Sequence, residues 1–170
     1  MRIERLRPES WERSRAIRLR ALAEAPDAFA CLLADEEEQP EEFWRERLSG
    51  ERCVTLLASD AGADLGCAVG CEWDGKPGCA GLFSMWVAPE ARGRGVGDAL
   101  VQAVIAWARD AGHVRLLLDV ADANTAAARL YARHGFEPTG RTGSLPAPRE
   151  HIAEQEFALV LDRPPVSGED

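Results

Sequence analysis

The chain has 170 residues, a length that suits one domain able to bury about two-thirds of its unfolded surface. Its 46% hydrophobic and 29% charged content is that of an ordinary globular protein, and a net charge of −9 argues against general nucleic-acid binding. The five cysteines are odd in number, without paired C-x-x-C units or flanking histidines, so a zinc ribbon is excluded and small buried thiols in a reducing cytosol are expected.

The first residues, MRIERLRPES, lack an apolar signal core, and no run approaches 18 apolar residues, which points to a cytoplasmic protein. Residues 2–6 read as a short strand. Pro8 suits the first turn of a helix, and Trp11, Ala16, Leu19, Leu22 and Ala23 share one helical face until Pro26. A second helical stretch follows around residues 40–48. The acidic run 35–38 between them reads as a solvated face beside a loop. Residues 53–58 and 65–73 are strands, and the turn residues 74–78 signal a hairpin to a third strand at 81–87. A long helix follows, with the stripe Val96, Leu100, Val104, Trp107 and Ala108, stopped by Gly112. The continuous apolar run RLLLDV, residues 115–120, suits a central strand covered on both faces. Asn124 or Thr125 then caps a helix that Gly135 ends, and strands at 136–141 and 152–161 flank a proline-bearing loop. Residues 1–162 read as one domain and 163–170 as a disordered polar tail.

The chemistry concentrates where the third strand of the meander meets the long helix. Gly93, Gly95 and Gly97 leave backbone N–H groups unshielded at a helix start, where first-turn donors and the helix dipole favour an anion. Arg92 and Arg94 add positive charge. A P-loop would need G-x-x-x-x-G-K-[ST], which is absent. A dinucleotide fold would need glycine at 98, which is Asp98, and a parallel unit where this chain has hairpins. The hexapeptide RGRGVG, residues 92–97, instead matches [RQ]-x-x-G-x-[GA]. With MWVAPEARGRGVGDAL and, some thirty residues on, DVADANTAAARLYARHGF, the chain resembles the GNAT superfamily of acyl-CoA-dependent N-acetyltransferases over nearly its whole length.

That resemblance implies a single α+β, or mixed α/β, domain. Its twisted sheet of about seven strands would be mixed but mostly antiparallel, splayed in the middle and flanked by about four helices. It implies that the amides of residues 92–97, with help from Arg92 and Arg94, hold the pyrophosphate of acetyl-CoA. Cofactor binding would thus fall to Trp86, Val87, Arg92, Gly93, Arg94, Gly95, Val96, Gly97, Asn124 and Tyr131. The pantetheine arm would lie in the splay like an added strand, bonded near Trp86 and Val87. Asn124 and Tyr131 lie seven residues apart, roughly 10.5 Å of helical rise, on one face. Tyr131, the chain's single tyrosine, would protonate the departing thiolate as catalytic acid.

Many relatives carry a glutamate on the strand before the glycine motif, and residues 82–86 here hold none. The candidate bases are Glu72, Asp74 and a water ordered by Ser84, and His151, after the proline-bearing loop, could face the substrate. The acidic run 35–38 could draw a cationic amine, with Trp44 or Trp73 stacking on it. The resemblance implies acetyl-CoA and an amine as partners and admits a homodimer; it implies no metal, nucleic acid or membrane. Three classes stay open: an enzyme acetylating a small primary amine, a protein lysine or N-terminal acetyltransferase, and a non-catalytic acyl-CoA-binding module.

Overall fold

The computed structural model describes residues 1–161, so the tail expected at 163–170 lies outside the described residues. One sheet contains β1 (Arg2–Arg5), β2 (Cys53–Asp60), β3 (Ala63–Glu72), β4 (Cys79–Val87), β5 (Arg115–Ala121), β6 (Glu137–Ser144) and β7 (Ala153–Val160), in the order β1-β2-β3-β4-β5-β7-β6. Every neighbouring pair is antiparallel except β4 with β5. The helices are α1 (Trp11–Glu24), α2 (Leu33–Glu37), α3 (Glu41–Ser49), α4 (Val96–Asp110) and α5 (Thr125–Arg133). This is the expected α+β architecture with one helix more than about four. The addition, α2, covers most of the acidic run expected beside a loop; five residues are too few to display a helical period.

Helix α4 forms because its apolar residues recur at helical spacing, and Leu100, Val101, Val104 and Ala108 are fully buried against the sheet. A Cβ at Gly70 of β3 would stand 2.6 Å from the Trp107 ring, so glycine there lets α4 settle close to the strand. On β5, Leu116, Leu117 and Leu118 are all buried, as the continuous apolar run requires of a central strand.

The cysteine expectation needs correction. Register sets Cys53 directly opposite Cys71, with Cα atoms 4.1 Å apart, and the two form a disulfide. Strand register depends on turn geometry and packing, so this pairing was not legible in cysteine spacing. Cys67 is buried, and that burial pushes its thiol up to about 12.

Two irregularities open the middle of the sheet. Across β3 and β4, Cys67 faces Trp86 and Val69 faces Phe83, so Ser84 and Met85 bulge against the single residue Ala68. Ser84 takes φ of 52°, a left-handed conformation that is uncommon for a residue with a side chain. Parallel pairing of β4 with β5 covers only Cys79–Arg115, Ala80–Leu116 and Gly81–Leu117. Both strands continue past that point without pairing to each other, which is the splay that the family resemblance implies.

Candidate active site

A cleft of about 960 Å3 opens where β4 and β5 part. That is near the top of the usual range for ligand sites, roughly 300–1,000 Å3. Residues 82–87 and 119–121 form its strand walls, the first turn of α4 and one face of α5 close one end, and residues 28–31 with Arg18 and Arg47 close the other.

At the α4 end, Gly95 is the N-cap with φ of 77°, and no side chain caps the helix. Its carbonyl accepts the first helical bond, from Ala99 N at 3.0 Å, so the N–H groups of Val96, Gly97 and Asp98 precede the helical ladder. A Cβ at Gly93 or Gly95 would meet nothing within 4 Å, so these positions are open to a ligand. Gly97 differs: a Cβ there would lie 3.1 Å from Leu130, so its smallness lets α5 approach α4. The two arginines part company. Arg92 lines the cleft, donating to the Val87 carbonyl at 3.1 Å and pairing with Glu24 at 2.8 Å. The Arg94 guanidinium lies 3.6 Å from Asp60, and Arg94 is not among the residues lining the cleft. Arg133, missed in the sequence, lines this end and grips Asp98 at 3.0 and 3.1 Å. Burial alone would raise the Asp98 carboxyl, but its bonds to Arg133 and His134 hold it below the usual range. The one carboxylate in the first turn of α4 is thereby neutralised where an anion would sit.

On α5, Asn124 caps the helix by accepting from Ala127 N at 3.2 Å, and both Asn124 and Tyr131 line the cleft. Tyr131 is buried, its ring edge-on to Phe136 at 5.8 Å. Burial pushes its phenol above the ordinary value, so it remains a proton donor throughout the neutral range. Trp86 sends its indole N–H to Glu24 at 2.8 Å, while its backbone and that of Val87 follow the cleft edge of β4.

The expected acceptor groups fare differently. Glu72 and Asp74 are both held by Arg52, and neither lines the cleft. His151 is exposed outside it. Trp44 is 1% exposed in the core, and Trp73 packs on Phe83 beneath the Lys76 ammonium, so neither offers a stacking face here. Ser84 does line the cleft, with its hydroxyl accepting from Arg18 at 3.3 Å.

Two carboxylates that sequence reasoning missed do line it: Asp119 on β5 and Glu154 on β7. Asp119 faces Glu156 and Ala121 faces Glu154 across the antiparallel ladder, so Asp119 and Glu154 are diagonal neighbours on one face. Desolvation, and then the negative charge of Glu156, raise Asp119 above the usual carboxylate range. Glu154 is raised by desolvation and by Asp119. The available signal was a single charge inside the apolar run RLLLDV.

Residues 7–136 match the family model described as "Acetyltransferase (GNAT) family", more than half of the chain. The chain belongs to the GNAT family. A mycothiol acetyltransferase of Thermobispora bispora is 34% identical over 132 residues, covering 75% of this chain and 42% of that protein. An uncharacterised N-acetyltransferase of Schizosaccharomyces pombe is 37% identical over 87 residues, 51% of this chain and 53% of the relative. The GNAT chain thus spans about half or less of the length of these curated relatives. Among solved structures, a GNAT-family acetyltransferase from Streptococcus pneumoniae superposes with a TM-score of 0.76 at 23% identity, covering 95% of this chain and 99% of that one. The Salmonella typhimurium protein yncA, solved with acetyl-CoA, gives 0.74 at 22% identity, covering 100% and 98%. The ribosomal-protein-S18-alanine N-acetyltransferase of Escherichia coli gives 0.70 at 20% identity, covering 99% of each chain. At these identities the structural likeness speaks to the fold, which this GNAT chain shares throughout. No helix among the described residues is long and apolar enough to cross a membrane.

Proposed function

We propose that the protein transfers an acetyl group from acetyl-CoA to the primary amine of a small molecule. The observation that carries this reading is the uncapped N-terminus of α4, with Gly93 and Gly95 open to solvent, at one end of a cleft that runs between the unpaired lengths of β4 and β5. Backbone N–H groups of residues 93–98 would hold the pyrophosphate, aided by Arg92 and Arg133. Main-chain groups of Trp86 and Val87 on one side and Asn124 on the other would hold the pantetheine arm. Acetyl-CoA supplies the activated thioester.

The attacking nitrogen must be unprotonated, although a lysine-like amine has a pKa of about 10.4. Asp119, with Glu154 beside it, takes that proton; raised above the ordinary carboxylate range, it is a better base than a fully solvated aspartate. The nitrogen bonds to the thioester carbon, the carbon–sulfur bond breaks, and Tyr131 delivers a proton to the sulfur. The acylated nitrogen gives up its second proton to the Tyr131 phenolate, and the proton held by Asp119 passes to solvent, so each turnover releases one proton and restores both groups.

Support for a small acceptor comes from Arg149. Buried in the loop between β6 and β7, it donates to the carbonyls of Pro26 and Ala30, the latter at 2.9 Å, fastening that loop to the segment that walls the acceptor end. A peptide-wide groove would need those two segments apart. The test is thiol release from acetyl-CoA across small primary amines and peptides with free N-termini or lysines. Small amines are expected to turn over faster than any peptide; preference for a peptide would favour a protein acetyltransferase. Acetyl-CoA binding without turnover of any acceptor would favour a non-catalytic module.

A further inference from the structure

The corner of the cleft beneath α1, α2 and α3 carries the opposite sign from the one its sequence suggests. Residues 35–38 are all acidic, yet only Glu36 turns inward, where it is 3% exposed. Arg18 closes on it with two parallel bonds, Nε to Oε2 at 2.9 Å and Nη2 to Oε1 at 3.0 Å. Such a fork satisfies one carboxylate with one guanidinium. Arg47 then brings a second guanidinium to the same oxygen, Nη1 to Oε1 at 3.3 Å.

Two cations against one anion leave the corner with a positive charge in excess. Arg47 is its more accessible member, 36% exposed, and it lines the cleft. The guanidinium lies 5.3 Å from the Phe43 ring centre and 5.7 Å from that of Trp44, which limits its freedom before any ligand arrives. Its contact with Glu36 uses one nitrogen and leaves the rest of the fork for a ligand. Arg92, paired with Glu24, and Arg133, paired with Asp98, stand at the α4 end, where the proposed function assigns them to the pyrophosphate. What remains is Arg47 on the helical wall and Asp119 with Glu154 on the strand wall.

We infer that the acceptor is a small zwitterion: a primary amine that also carries an anionic group, carboxylate or phosphate, which Arg47 holds. This rests on the acetyl-transfer reading above and narrows its substrate class. The amine pole goes to the carboxylates of β5 and β7 and the anionic pole to the guanidinium. The cleft therefore selects against amines that lack the second charge.

The test compares matched acceptors that differ in the anion alone: phenylalanine with 2-phenylethylamine, β-alanine with β-alaninamide, and O-phosphoethanolamine with ethanolamine. In at least one pair the anionic member should exceed its neutral twin in kcat/KM by about tenfold or more, roughly what one charge-assisted hydrogen bond supplies. Which pair responds tells carboxylate from phosphate. Arg47→Gln should bring that ratio close to one, chiefly through KM, and Arg47→Lys should keep part of it. Neutral twins that match or exceed the anionic members in every pair would overturn the inference and leave acetyl transfer standing. So would an Arg47→Gln variant that lowers both members in proportion, the mark of a merely structural role. If acetyl-CoA binds but no amine is acetylated, acetyl transfer itself fails and takes the inference with it.

Discussion

At the scale of single residues, Asp119 and Glu36 show how one carboxylate can be raised and another lowered within one protein. Desolvation and its anionic neighbours Glu156 and Glu154 outweigh the cations Lys76 and Arg141 around Asp119, and the balance is upward. A base must be deprotonated to work, so kcat/KM should climb with pH through an apparent pKa above the ordinary carboxylate range. Asp119→Asn should remove that limb, as a pH–rate profile with a weakly basic amine would record; an unchanged limb would assign the base elsewhere. Glu36 is pushed up by its own burial, but Arg18 and Arg47 more than offset this and leave it below the usual range. Its contribution to stability is thus present above the unfolded carboxylate pKa and lost as pH falls through the lower folded value. Glu36→Gln strands Arg18 in the core without its counter-charge. A cost of about 3–5 kcal/mol at neutral pH is expected from denaturant unfolding, shrinking as the wild type itself becomes protonated in acid. Of these two residues the sequence exposed little: a five-residue helix shows no period, and one aspartate in an apolar run looks like a strand end.

Among the elements, α4 and its glycines were legible because their chemistry is local. Gly93 and Gly95 before an apolar period of 3.6 residues specify an open helix start, and the structure has one. A side chain at Gly95 must adopt the left-handed region at a cost of roughly 1–2 kcal/mol. Gly95→Ala should therefore weaken acetyl-CoA binding about tenfold in a calorimetric titration, with a small loss of thermal stability. A variant that binds as tightly as the wild type would move the phosphate seat elsewhere. The disposition of Arg92 and Arg94 was not legible, because it depends on partners far away in sequence. Glu24 lies 68 positions from Arg92, and Asp60, from another strand, draws Arg94 away from the cleft. The candidate bases Glu72 and Asp74 were misplaced for the same reason, since Arg52 of a neighbouring strand edge claims both.

For the whole molecule, the order of strands and helices follows from periodicity and turn signals, and the splay was expected only through the family resemblance. The resemblance also implied that residues 25–48 and 142–149 wall the acceptor end; what neither supplied is the clasp of Arg149 on carbonyls about 120 residues away that fastens them together. Arg149→Ala should free residues 26–31 from the loop between β6 and β7. Faster hydrogen exchange in both segments and a several-fold higher acceptor KM are expected, with acetyl-CoA affinity little changed. The activity as a whole rests on chemistry in the cleft between β4 and β5. The direct measurement follows free thiol and acetylated amine together, for the wild type and Tyr131→Phe, with acetyl-CoA affinity determined separately. The predicted result is one thiol per acetylated amine, at a rate that depends on the amine and falls roughly 100-fold in the variant at unchanged affinity. Thiol release indifferent to the amine, or a variant at full rate, would contradict it.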